Sequence, residues 1–140
     1  MTKSRISVSS STYKSDIFEG FSRLQYSDEF VDMTLAADGH LVKVHQTLVA
    51  LASPYLKDML LSVPCKHPVI FLNGITHEML GFILEYIYRG EVEIPAEKVQ
   101  SFLHSAQAMH IAGLKNIIPS ADCENLSQEK QTKHMFHKHK

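Results

Sequence analysis

Between residues 31 and 45 the chain reads VDMTLAADGHLVKVH, and this stretch limits the possible folds more than any other. Val31, Met33 and Leu35 alternate with Asp32, Thr34 and Ala36, the period of a strand with two unlike faces. Asp38-Gly39 is a strong two-residue turn signal, and Val42 and Val44 resume the alternation, so the spacing predicts a β-hairpin. The period then changes at once. In QTLVALASPYLKDMLL, Leu48, Val49, Leu51 and Ala52 fall at helical spacing. Pro54 forbids one unbroken helix, whereas Ser53 as cap with Pro54 in the first helical position starts a second.

Elements flank this unit on both sides. Upstream, Ile17, Phe21 and Leu24 recur at i, i+4 and i+7 with Phe18 beside them, which predicts a helix with one apolar face. Ser15 is placed to cap it, and Gly20 inside it costs about 1 kcal/mol against Ala. Before it, Ile6 and Val8 alternate with polar neighbours, a segment too short to be a strand alone but able to pair with a sheet edge. Downstream, HPVIFLN has strand length and composition, and Asn73-Gly74 closes it. Leu80, Ile83, Leu84 and Ile87 predict a helix that Gly90 stops. Because Met79, Phe82 and Tyr86 cover its other side, it is expected to be buried nearly all round. EVEIP, with Val92 and Ile94, reads as a short alternating segment. A further helix carries Val99, Phe102, Leu103, Ala106 and Met109 on one face, and a short one is expected from Leu114 to Ile118. Residues 119–140 are polar, lack periodicity and read as a disordered tail.

The bulk numbers narrow the function classes. The 140 residues fit one domain plus a tail. No apolar run approaches the roughly 20 residues of a membrane helix, no signal-peptide core opens the chain, and the two cysteines lie far apart. The chain is therefore read as intracellular, in a reducing compartment and without a membrane role. Four lysines and no acid fall between Lys130 and Lys140. Residues 1–129 then hold 10 basic and 15 acidic side chains, a formal −5. A net-acidic domain repels the phosphate backbone, so direct nucleic-acid binding is not expected of it.

No enzyme chemistry stands out. Cys65 and His67 share a face if the chain there is extended, but a zinc site needs two more ligands, and no CxxC, HExxH or second Cys-His cluster supplies them. Pro64 and Pro68 make better sense as stiffeners of a connection entering a strand. His134, His137 and His139 read as a solvated tract rather than a metal site. His104 and His110 are six apart on a helix, off the spacing that shares a metal. No catalytic residue, metal or cofactor is expected. Asp32, inside a strand, either faces water or is a partly buried acid needing a partner, and spacing leaves both open.

Three runs carry a family resemblance: residues 30–60, 67–95 and LHSAQAMHIAGL at 103–114. With D-x-T-L at Asp32–Leu35, V-H-x-x-L at Val44–Leu48, S-P-Y at Ser53–Tyr55 and Y-x-G-E-V at Tyr88–Val92, residues 6 to 118 resemble the BTB/POZ domain. That likeness implies an α+β fold in which helical hairpins are capped by a small, mostly three-stranded sheet, with an N-terminal strand exchanged between subunits. The expected division is an N-terminal extension at 1–14, the domain at 15–118 and the tail at 119–140. VPCKHPVIFL looks like the loop signature of the tramtrack-type group of arthropod transcription factors, which places Cys65 and His67 in that signature. ISVSSSTYKSDIFEGF is similar to the group's N-terminal F-x-L-R-W-N-N-Y-x-S-N segment, but Ser10 stands where that motif has Trp, and Ser11 and Thr12 where it has Asn.

The family implies a homodimer, and tramtrack-type domains assemble further. Ile17, Phe18, Phe21 and Leu24 are the expected contact surface, with Leu48 and Val49 on the facing helix. Ile6 and Val8 would pair with Val92 and Ile94 of the other subunit. The acid equivalent to Asp32 lies near the dimer groove in family members, paired with a basic residue after the helix-start His; here Gln46 takes that place beside His45, which leaves a charge–neutral hydrogen bond. The implied function is a self-associating interaction module of a nuclear transcription or chromatin regulator. Its implied partners are itself, other BTB-containing transcription factors and co-regulators. The alternative is a substrate adaptor for a cullin-type ubiquitin ligase, which usually carries additional helices where this chain has a polar tail.

Overall fold

The computed structural model describes residues 3–114; the expected Leu114–Ile118 helix and the 119–140 tail, with its histidines and Cys123, lie outside or almost wholly outside them. The order is α1 (Tyr13–Tyr26), β1 (Met33–Ala37), β2 (His40–Val44), α2 (Gln46–Ala52), α3 (Pro54–Ser62), β3 (Val69–Leu72), α4 (His77–Arg89), a single 3-10 turn (Ala96–Lys98) and α5 (Val99–Ala108). Asp38 and Gly39 both take positive φ, 53° and 76°, as a tight hairpin turn requires. They fix β1 antiparallel to β2 in the register Leu35↔Val42. β3 lies parallel to β1 on its other side, with Leu35↔Ile70, so the sheet order is β2-β1-β3. A parallel partner needs a crossover, and the α2–α3 hairpin lies within it. This is the α+β arrangement of helical hairpins against a small three-stranded sheet.

Met33, Leu35, Val44, Leu80, Ile83 and Leu103 form the centre of the core, each at most 1% exposed. They come from both the sheet and the α4–α5 pair, so neither layer is stable without the other. The α2–α3 corner is fixed by one side chain. Ser53 Oγ accepts from Leu56 N at 3.2 Å and donates to Met109 O at 2.9 Å, tying the start of α3 to the end of α5. Thr76 Oγ1 caps α4 by accepting from Met79 N, and Gly90, at φ 80°, ends it.

Several expectations are corrected. α1 begins at Tyr13 rather than at a Ser15 cap: Thr12 is the N-cap and makes no side-chain cap bond, while Ser15 Oγ donates to Thr12 O. β1 does not alternate between core and water. All five of its residues are buried, because it is the central strand and small Thr34 and Ala36 lie low between their neighbours. EVEIP alternates as expected, Val92 and Ile94 turning towards the core while Glu91 and Glu93 face out, and its backbone joins no strand of its own chain. α4 keeps an exposed stripe through Glu78, Gly81, Glu85 and Arg89. α5 ends at Ala108, so His110 is not helical: it takes φ 57° and stacks on Tyr55. The segment before β3 is bent at Lys66 and His67, so Cys65 and His67 do not share an extended face. Cys65 is exposed, and His67 Nε2 meets Thr34 Oγ1 at 2.8 Å, fastening the loop to the central strand.

Candidate interaction surface

Helix α1 packs against α4, and none of its residues is fully buried. Its apolar residues divide between two directions. Phe21 turns inward and stands edge-on to the His45 ring at 5.5 Å. Ile17 and Phe18 face outward, with Tyr13 beside them at the start of the helix. A helix docked by so few of its apolar side chains leaves a stripe open to a partner.

Beneath Phe21 lies a closed polar chain. His45 is 4% exposed. Its Nε2 is 2.9 Å from Glu29 O, a carbonyl that only accepts, so this nitrogen carries the proton. Nδ1 then accepts from the Tyr88 hydroxyl at 2.7 Å, and that oxygen in turn accepts from His45 N at 3.0 Å. Both ring nitrogens are occupied, which leaves His45 with no lone pair for a metal or a substrate. Burial pushes the Tyr88 hydroxyl up to about 12; the Asp32 carboxylate adds to the rise and the bond from the His45 backbone opposes it.

Asp32 is half-buried. Its Oδ1 accepts from Gln46 N at 2.8 Å, and its Oδ2 accepts from Gln46 Nε2 at 3.0 Å. The carboxylate therefore serves the first N–H of α2, where the helix dipole favours negative charge, and needs no basic partner. Among the described residues no group of three or more His, Cys, Asp or Glu is placed to hold a metal, and no helix is long and apolar enough to cross a membrane.

The expected contact residues are not brought to one face. Val49 is fully buried at 0% exposure in the subunit's own core, and Leu48 packs against that core half-buried. Val49 is thus corrected from a surface residue to a core residue: its position on α2, which packs on α3 and α4, turns it inward. Leu24 is half-buried on α1. Ile6 and Val8 are almost wholly exposed in a segment without regular structure. Val92 and Ile94 lie in a segment whose backbone joins no sheet. Sequence reasoning missed Phe30, 84% exposed at φ 59° in the α1–β1 connection, and Leu51, exposed on α2. A bulky residue in the left-handed region is uncommon enough to have been sought, but only the backbone reveals it.

A family model described as the BTB/POZ domain matches residues 21–126. Three proteins of Drosophila melanogaster are similar. Broad-complex core protein isoforms 1/2/3/4/5 is 40% identical over 73% of this chain and 14% of its own length. Transcription activator GAGA is 35% identical over 91% of this chain and 22% of its own. Protein tramtrack, alpha isoform, is 30% identical over 84% and 14%. The chain thus spans less than a quarter of each. Among solved structures, the BTB domain of human gigaxonin is 25% identical, covers 77% of this chain and 89% of its own, and superposes with a TM-score of 0.64.

Proposed function

The chain belongs to the BTB/POZ domain family, its curated relatives being tramtrack-type transcription factors, and from that premise we propose a homo-oligomerising interaction module of a nuclear transcription or chromatin regulator. The observation that carries the reading is the open side of α1, where Ile17 and Phe18 face outward. A second copy of α1 is the occupant that suits this stripe, because like apolar surfaces meet across a two-fold axis. The segment at Ile6 and Val8 and the unladdered segment at Val92 and Ile94 are the two halves of an exchanged ladder. Pairing them across subunits would satisfy backbone groups that neither satisfies in one chain. Other BTB-containing factors and co-regulators are the further partners of such a module, which performs no catalysis and needs no cofactor.

Light scattering after size exclusion, over a range of concentrations, tests this. A species of two chains or more supports the reading. A single-chain mass at every concentration overturns it.

A further inference from the structure

A cleft of about 300 Å³ lies between α1, β2 and α4, with all its walls in one chain. That is the lower end of the range for small-ligand sites. Val42 and Leu84 give it apolar surface, Ser22 belongs to its α1 wall, and Gly81, Glu85 and Arg89 follow one line along α4. Two features ask for an occupant. The Ser22 hydroxyl is the one buried side-chain polar atom without a hydrogen-bond partner among the described residues, whereas the great majority of such atoms in folded proteins have one. Gly81 is the other. A glycine inside a helix weakens it relative to alanine, yet a Cβ built at Gly81 would meet nothing within 4 Å. Packing within the chain therefore does not call for a bare backbone here, and the effect of the glycine is to keep the cleft open.

Charge selects the ligand. Glu85 and Arg89 stand one helical turn apart, both exposed at the rim. Neither joins an ion pair among the described residues, where Lys98 pairs with Glu78 instead. An acid alone would be repelled by Glu85 and an amine alone by Arg89, whereas a zwitterion meets an opposite charge at each. Ser22 lies at the Arg89 end of the cleft, since Phe21 beside it packs on the His45 ring that Tyr88 holds. We infer that this cleft binds a free α-amino acid with a large apolar side chain. Its ammonium sits against Glu85. Its carboxylate meets Arg89 and gives the Ser22 hydroxyl the acceptor it lacks. Its side chain lies over Gly81, between Val42 and Leu84. The inference makes no use of the α1 contact proposed above.

The probe is L-phenylalanine, added to the isotope-labelled full chain and followed by amide NMR. N-acetyl-L-phenylalanine and L-phenylalaninamide, each lacking one of the two charges, are the comparison ligands. The expected result is saturable movement of the Gly81 and Ser22 amide signals with a Kd of about 1 mM. Each one-charge form should bind about tenfold more weakly, as should L-phenylalanine to Arg89→Gln. Gly81→Leu places a better helix former at that position and fills the cleft. It should remove binding while its melting temperature holds or rises, which separates a lost site from a lost fold. No saturable movement with L-phenylalanine overturns the inference, and so does equal binding of either one-charge form. Binding to Gly81→Leu that matches the parent places the ligand elsewhere and overturns it too.

Discussion

The Tyr88 hydroxyl lies 2.7 Å from His45 Nδ1, joining the last turn of α4 to the residue that starts α2. The same hydroxyl accepts from the His45 backbone, and the far side of the ring holds the carbonyl of Glu29. Three separated stretches of chain thus converge on one imidazole. Phe21 of α1 is laid over it, so the polar chain also sets where α1 sits.

Replacing Tyr88 by Phe keeps the packing but strands the His45 N–H and Nδ1 in the interior. An unmet buried group costs roughly 1–3 kcal/mol, so urea unfolding of Tyr88→Phe should show a loss in that range. The pH dependence has a definite sign. The folded hydroxyl titrates near 12 against 10.0 when exposed, so between these values the native state holds the proton that the unfolded state releases. Stability falls as pH rises from 10 towards 12. In Tyr88→Phe that part of the alkaline loss should vanish, along with one late-titrating phenol in the ultraviolet spectrum.

Ser53 has no exposed surface, donates to Met109 O and accepts from Leu56 N. Ser53→Ala removes a helix cap and leaves a buried carbonyl short of a donor. The expected loss is about 2–3 kcal/mol, combining both effects, and it should appear as a lower melting temperature with an unchanged circular dichroism spectrum. A loss near zero would mean that the carbonyl finds another donor.

Local signals made the frame legible. Asp38-Gly39, Ser53-Pro54 and Gly90 each act within a few residues, and each performs the turn, cap or stop their chemistry predicts. The polar chain at His45 was not legible, because its partner Tyr88 is 43 positions away and only the packed fold brings them together. Val49 was misplaced because helical spacing gives a face without saying which way it turns. The two faces of β3 were hidden differently: VIFL reads as a continuous apolar run, and only the register separates Val69 and Phe71 from Ile70 and Leu72.

Asp32 offers a clean comparison. Asp32→Asn keeps an oxygen for the Gln46 N–H, and the Gln46 amide can turn to accept from the new amide. Asp32→Ala leaves that N–H without an acceptor at the start of α2. The alanine variant should lose about 1–2 kcal/mol and the asparagine variant a few tenths, measured by urea unfolding. Equal losses would show that charge against the helix dipole outweighs the bond itself.

Ser10 stands where the tramtrack-type motif that this segment resembles has a tryptophan, so anchoring is expected to be weaker here if that tryptophan anchors the segment. If Ile6 and Val8 still exchange into the partner, deleting residues 3–9 leaves the Thr12 cap in place and weakens the dimer about tenfold, roughly 1.4 kcal/mol. Dissociation measured by dilution checks this. An unchanged constant would show that the segment contributes nothing to the dimer.

Phe21 and the Ile17–Phe18 pair separate folding from association. Phe21→Asp places a carboxylate against His45 and the core, so it should cost about 3 kcal/mol within the single chain and lower the melting temperature whatever the assembly does. Ile17→Asp/Phe18→Asp changes side chains that face away from the domain, so the isolated fold should hold its secondary structure. Its mass should fall to one chain, because two charges per copy would be buried without partners at the α1 contact. Retention of parental mass by this variant would move the dimer surface off α1, leaving exposed Phe30 and Leu51 as the apolar side chains to vary next.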